Sequence, residues 1–423
     1  MLEVQVIRNI VMLVILCLAG HTLSAQVPLL TWSGEIRVRS EADGRDFRNE
    51  TVMNAYTFLR TRVALEARPI EGVTAYVQMQ DSRVLGEERD PAGVFNTISN
   101  TKNLDLHQAY LELDDFLLNG LSMKLGRMEL TFGNERIVGA VGWNNIGRAF
   151  DGGLIRWSGN KRSVDLFVVN AGETTVPPSV ALPGNVMFAR DEGQLFSGGY
   201  FSTTLFEPYR IDIYLLHRWI RKRTVAGHDD LSRFTAGGLS KGSLGSLFYE
   251  GEFAYQGGSL STSDVSAFLI TGAVGYATGS SLLSSFAIGV DYLSGTPADS
   301  KVVKTFDPEF YTGHKFHGFM DYFVTVPLTT QDRGLRDAYV RLVSAPTPST
   351  TISLWVHDFA AAESPGGKSR MGQEVDIVGV WRYNKYAVFE MGLSGFLPGE
   401  VMKSRFSGSD VATWAYLRAS VAF

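Results

Sequence analysis

Cysteine is nearly missing from this chain. Of 423 residues only Cys17 is one, and it sits inside an apolar stretch, Ile10 to Ala19 (IVMLVILCLA). Arg8 precedes that stretch and LSA precedes Gln26, the layout of a secretory signal with its cleavage site. Residues 1–25 are therefore read as a signal peptide and 26–423 as a single exported domain. The stretch is too short to span a bilayer comfortably, which disfavours an anchoring helix. Leu16, not a small residue, stands before Cys17, which speaks against lipoprotein processing. The exported part then has no cysteine, and a disulfide framework is excluded.

Long apolar runs are also missing. After Ala25 no run approaches the roughly eighteen apolar residues that a spanning helix needs, so a membrane role would require a barrel. There is no large excess of charge of one sign. The formal charge is −5, with 20% charged and 45% hydrophobic residues, a balance that fits neither nucleic-acid binding nor disorder.

Catalytic signatures are absent: no nucleophile elbow, no paired zinc motif and no phosphate loop. An embedded hydrolase using Ser and His is a minor alternative, and a non-enzyme is expected. Glycine-rich segments such as GGLSKGSLG suit bends and turns of a barrel. GHKFHG places His314 and His317 three apart, and His357 would have to join them to hold a metal. Six histidines remain beyond His21, and a loop-like context makes ordinary pairing the simpler reading. The acidic stretches GEERD (86–90) and HDD (228–230) offer calcium a place at a loop, against plain solvated charge. No other cofactor or metal is expected.

What is present is alternation. Glycine numbers 44 and aromatics reach 12%, a composition that suits an all-β chain. Period-two segments recur at 31–42, 53–68, 72–84, 104–115, 121–132, 152–159, 162–172, 194–206, 209–220, 233–244, 247–259, 264–278, 284–294, 335–346, 351–361, 372–383, 387–397 and 410–423, with 316–327 as a further candidate. That is eighteen segments, long enough for tilted membrane strands. In AYTFLRTRVALEARP one face carries Phe58, Arg60, Arg62, Ala64, Glu66 and Arg68, and the other Leu59, Thr61, Val63, Leu65 and Ala67. Glu35, Arg37, Arg39 and Glu41 likewise oppose Ile36 and Val38. Dry faces turned inward could not fill so wide a barrel, so they are expected to face lipid and the charged faces a wet lumen. The last strand, WAYLRASVAF, turns Leu417, Ala419, Val421 and Phe423 to lipid, leaving Trp414 and Tyr416 at an aromatic belt or on the lumen wall. Short connections such as LLNG, SGNK and FEP alternate with long ones at 85–103, 133–151, 174–193 and 295–334. This predicts a transmembrane antiparallel β-barrel with short periplasmic turns and longer extracellular loops.

Arginines are the most informative polar residues. Arg37, Arg39, Arg60, Arg62, Arg127, Arg156, Arg210, Arg218 and Arg341 fall in predicted strands on mostly polar faces. Together in one lumen they would focus a positive field and bind carboxylates. Alternatively they pair with Glu35, Glu66, Glu112, Glu129 and Asp212 in a rigid, salt-laced wall.

LDLHQAYLELDDF, followed by LSMKLGRMELTFGNERIVGAVGWNNIGRAFDGGLIRW, resembles the alginate export family of outer-membrane β-barrels. DYLSGTPADSKVVKTFDPEFYTGHKFHGFMDYF (291–323) is similar to a second block of that family. The resemblance implies an 18-stranded monomeric channel in the outer membrane of a Gram-negative bacterium, with loops partly occluding it and lumen arginines attracting a polyuronate. Gln108, Tyr110, Arg127, Glu129, Arg136, Trp143, Asn145, Arg148 and Asp151 fall on the first block. Thr305, Phe306, Pro308, Phe310, Gly313 and His314 fall on the second. Arg127 and Glu129 are read as sharing one lumen wall with Tyr110. Arg136, Trp143, Asn145, Arg148, Asp151, Phe306, Pro308 and His314 are read as loop-structuring. In barrels of this kind a terminal aromatic such as Phe423 is what the insertion machinery reads. The expected partners are therefore the bilayer, that machinery, an anionic solute or polysaccharide, and a periplasmic export partner. The competing reading is a structural barrel plugged by its own loops or by a partner and serving as a membrane anchor within an assembly, and the segment 295–334 discriminates between the two.

Overall fold

The computed structural model describes residues 29–86, 102–172, 190–224, 227–228 and 230–423. The signal-peptide reading, most of GEERD and part of HDD lie outside these. Among the described residues there are eighteen long strands. The first six are β1 (Leu29–Gly44), β2 (Asn54–Ile70), β3 (Val73–Gly86), β4 (Lys102–Leu113), β5 (Leu121–Met128) and β6 (Phe150–Gly159). Next come β7 (Arg162–Asn170), β8 (Arg190–Thr203), β9 (Arg210–Thr224), β10 (Leu231–Leu244), β11 (Leu247–Leu260) and β12 (Ser263–Ala277). The last six are β13 (Ser285–Leu293), β14 (Leu335–Thr347), β15 (Thr350–Ala360), β16 (Arg370–Arg382), β17 (Ala387–Pro398) and β18 (Ala412–Ala422). A two-residue stub, Gly227–His228, extends the end of β9.

Each strand pairs antiparallel with its sequence neighbours. β1 closes the ring by pairing with β2 on one side and β18 on the other, from Glu35 opposite Ala422 to Gly44 opposite Thr413. At the seam the last residue exchanges two backbone hydrogen bonds with Gly34, of 2.7 and 3.0 Å, and the Phe423 ring meets Trp32 edge-on at 5.6 Å. Every predicted segment corresponds to one of these strands. The candidate 316–327 does not: Met320, Tyr322, Phe323 and Val326 are all buried, so the stretch is covered on all sides and has no two-faced period.

The ordinary distribution of hydrophobicity is inverted. On β2, Arg60 is 4% exposed while Val63 and Leu65 are 52% and 46% exposed. On β18, Leu417 is 60% exposed while Trp414 is 2% exposed. Charged groups inside and a continuous band of bare Ile, Leu, Val and Phe outside cannot rest in water. They fit a bilayer, where closure leaves no strand edge unpaired. Trp414 and Tyr416 both belong to the lumen wall, not to the outer aromatic belt.

Both ends of the described chain and the shorter turns, such as 71–72, 160–161, 245–246 and 348–349, lie on one side of the barrel. The long connections lie on the other. Two of them, loop A (129–149) and loop B (294–334), fold back inside. Loop B carries Phe306, Phe310, Met320, Tyr322, Phe323 and Val326 into an apolar core, where Tyr322 and Phe323 meet Phe396, and Phe323 also Phe359, from the wall. Helix α1 (Val326–Thr329) ends the inward part of loop B, and helix α2 (Glu400–Phe406), between β17 and β18, caps this core with Phe406.

Phe396 touches Phe47, Tyr322, Phe323 and Phe359, with ring centroids between 4.7 and 6.4 Å. Phe396→Ala is expected to cost about 3–5 kcal/mol, the usual range for removing a buried aromatic ring. Urea titration in lipid vesicles should show that loss, together with new protease cuts within 294–334. Unchanged protection of that segment would contradict the packing.

Candidate pore constriction

Loop A lies against β1 and β2 and presents its backbone oxygens to their arginines. Arg37 donates to the carbonyls of Gly142 (2.6 Å) and Asn144 (2.8 Å). Arg39 donates to the Trp143 carbonyl (2.5 Å) and to Glu41 (2.6 Å). Arg60 grips Glu35 at 2.7 Å and the same two carbonyls as Arg37 at 3.2 and 3.0 Å. Arg62 reaches Gln80 (2.6 Å), the Ile146 carbonyl (3.2 Å) and Glu129 (3.3 Å). Positive φ at Val141 (53°) and Gly147 (82°) brackets the loop tip that offers these carbonyls. A side chain at Gly147 would meet Arg62 Nη2 at 2.7 Å, so glycine is needed there for both space and conformation.

The Trp143 ring fills the gap beyond. The Arg39 guanidinium covers one face at 3.9 Å, and His314 of loop B stacks on it at 3.7 Å and 8°. Loop B then runs beside loop A. Gly139 donates to the Phe310 carbonyl, Phe310 to Ile137 and Thr312 to Glu135, all between 2.9 and 3.0 Å. Arg148 ties the pair through the carbonyls of Gly139, Phe310 and Tyr311. On the far wall, Arg233 and Arg218 hold the loop B carboxylates Asp307 and Glu309, Arg233 at 2.7 and 2.9 Å. Arg136 of loop A is buried against Asp291 (2.6 Å) and Glu252 (3.6 Å), with Phe316 below its plane at 4.1 Å. The two loops are thus clamped to each other and to both sides of the lumen.

The turn side of the lumen is more open. There Arg156 pairs with Asp165, and Arg210 with Asp212 (2.9 Å) and Ser202 (3.2 Å). They line a cavity of about 240 Å³ with Thr131, Ser158, Ser163, Tyr200 and Ser202. Arg341 lies over Trp355 at 4.8 Å, and Tyr110 stacks on Tyr76 at 5.0 Å beneath Lys124. Arg37, Arg148 and Arg341 have no carboxylate within ion-pair distance among the described residues.

A family model described as "Alginate export" matches residues 29–413. The chain belongs to the alginate export family. No curated protein matches it. Among solved structures, a BenF-like porin from Pseudomonas fluorescens Pf-5 superposes with a TM-score of 0.62 at 11% identity, over 93% of this chain and 98% of that one. OccK5 (OpdH) of Pseudomonas aeruginosa gives 0.59 at 12% identity, over 93% and 98%. OpdK of the same organism, solved with vanillate, gives 0.55 at 10% identity, over 93% and 98%. At such identities these share the fold. The protein is accordingly an outer-membrane barrel of the channel type, located in a Gram-negative outer membrane, with the turn side periplasmic and the loop side extracellular.

Within this member of the alginate export family most of the singled-out residues come together and two, Arg127 and Asp151, do not. Arg127 faces outward, on the same face as Leu125, and pairs across the strand with Asp151 at 2.6 Å; Asp151 is 49% exposed on its side chain. Neither lines the lumen, and Asp151 belongs to β6, not to a loop. Glu129 does not share a wall with Arg127, because β5 ends at Met128 and parity ends with it. Glu129 instead turns in, to Arg62 and to His107 (2.7 Å). His107 was not singled out; a register shift in β4 between the residues facing Gln78 and Met79 leaves it extra, aimed inward beside Gln108. Arg233 and Arg418 were missed as well, although both fall on inward positions of their strands. Asn145 donates to the Leu59 and Arg83 carbonyls, and Phe306 and Pro308 are buried in loop B. The three histidines do not converge: His314 binds Asp321 (2.8 Å), and His357 binds Asp337 (2.9 Å).

Two loop carboxylates are held below their usual range. Burial pushes Glu129 up, but the His107 contact and the Arg62 charge outweigh it. Burial pushes Asp307 up, and Arg233 and Arg218 outweigh it in the same way. A depressed carboxyl stabilises fully above its unfolded value and loses that contribution as pH falls through its folded one. The clamps at these two residues should therefore hold at neutral pH and release only in acid, below the ordinary carboxyl range. In planar bilayers the wild-type single-channel conductance should step up in that range, and E129Q/D307N should show the raised level already at pH 7. An acid step of equal size in both proteins would contradict this.

Proposed function

We propose that the protein is a passive, constricted diffusion channel for a small carboxylate-bearing solute. The observation that carries this is the arginine row Arg37, Arg39, Arg60 and Arg62 where loop A crosses the lumen, with Arg156, Arg210 and Arg341 on the approach from the periplasmic side. Guanidinium groups pair with carboxylates in a planar, bidentate way, and a low-dielectric wall strengthens their field. A related barrel has been solved with vanillate, itself a carboxylate. The family's described role in alginate export favours a polyuronate. Two loops packed through the lumen favour a solute smaller than a polymer strand. The sequence carries no nucleotide-binding motif, so flux runs downhill or is driven by partners.

The test is the reversal potential across a planar bilayer under a tenfold salt gradient. Anion selectivity is expected, with block by benzoate-type carboxylates and little effect of polyuronate. Arg341→Gln, at a guanidinium stacked on the Trp355 ring, should shift the reversal potential toward zero without altering the fold, and Arg37→Ala should shift it further. Cation selectivity would contradict the reading. Block by polyuronate at lower concentrations than by small carboxylates would replace the small solute with the polymer.

A further inference from the structure

Where loop B turns beneath β13 and β14, three donor groups converge with nothing between them. Asp291 of β13 and Asp337 of β14 are directly opposite each other in the strand register. Two like charges so placed repel, yet both are fully buried. His317 of loop B enters between them. It is 3% exposed, and its Nδ1 lies 3.6 Å from an oxygen of each carboxylate. That is too long for a hydrogen bond, and Nδ1 has no other partner; Asp291 Oδ1 is likewise buried without one. All three donor atoms lie within 4.8 Å of one another. His317 is held there in the left-handed region (φ 58°), followed by Gly318 (φ 86°), a conformation that costs energy and persists where the surroundings impose it.

We infer that Asp291, His317 and Asp337 form a binding site for a divalent first-row transition ion, best suited to zinc. Ligands about 2.0–2.1 Å from a tetrahedral ion stand about 3.3 Å from each other; here His317 Nδ1 lies 3.6 Å from Oδ2 of each carboxylate, and the donor atoms of the three residues lie within 4.8 Å of one another. One imidazole nitrogen with two carboxylates is a zinc-type donor set, whereas calcium prefers oxygen alone. The surroundings orient the donors. Arg136 holds Asp291 through Oδ2 and leaves Oδ1 without a partner, and His357 Nδ1 orients Asp337 at 2.9 and 3.1 Å from its two oxygens. The bound ion would join loop B to the barrel wall and so fix the constriction.

The untagged full-length protein, refolded in detergent and stripped with a chelator, is titrated with Zn²⁺ by calorimetry and assayed for retained metal. One ion per chain is expected. His317→Ala and Asp337→Asn should weaken binding at least tenfold, while His217→Ala, on the outer face, should not. Zinc should also slow proteolysis within 294–334 in the wild type alone. Should the variants fail to fold, Co²⁺ reports on the wild type, where an intense visible band of a four-coordinate site is expected. A weak octahedral spectrum, or equal affinity in wild type and His317→Ala, would overturn the site and leave His317 as a spacer between two carboxylates.

Discussion

Four arginines on β1 and β2 hold loop A by its backbone carbonyls, and the width of the lumen follows from that grip. A guanidinium stays charged in a protein, so burying one demands acceptors on several sides. Arg37, Arg39, Arg60 and Arg62 find them partly in Glu35, Glu41, Glu129 and Gln80 and partly in the loop tip from Gly142 to Ile146. Removing the loop would leave cations without partners, and removing the arginines would leave carbonyls without donors. Each side makes the other's position favourable.

That grip decides what the second loop can do. Trp143, fixed over Arg39, gives His314 a flat surface, and the backbone ladder from Gly139 to Phe310 aligns loop B beside loop A. The far wall closes the arrangement with Arg233 on Asp307 and Glu309 and with Arg136 on Asp291. Such buried pairs add little net stability compared with an apolar replacement, but breaking one is costly. They therefore fix where the loops lie more than they add to how firmly the barrel folds. The barrel's own stability comes from the closed strand ladder and the lipid-facing band.

The strands were legible because each separates two solvents. Alternation survives wherever one face meets lipid and the other the lumen, as along β1, β12, β13 and β16. Loops A and B were legible only as long connections. Their residues pack on every side, so Met320, Tyr322 and Phe323 look like a strand without being one. Parity also misleads where a strand stops or carries an extra residue. Arg127 and Glu129 appear to share a face, but β5 ends between them, and the irregularity in β4 brings His107 inward unannounced. The pairing of Arg37 with Gly142, or of Asp291 with Arg136, joins positions more than a hundred residues apart, and no local pattern encodes it.

The most direct measurement of the central claim is sizing the lumen with neutral polymers added to one side of a planar bilayer at a time. The account predicts an asymmetric result. Small polyethylene glycols should enter from the periplasmic side and lower the conductance, and the same polymers should have no access from the extracellular side. Equal access from both sides, up to the size that a bare eighteen-stranded barrel would admit, would show that the loops do not occupy the lumen and would contradict the account.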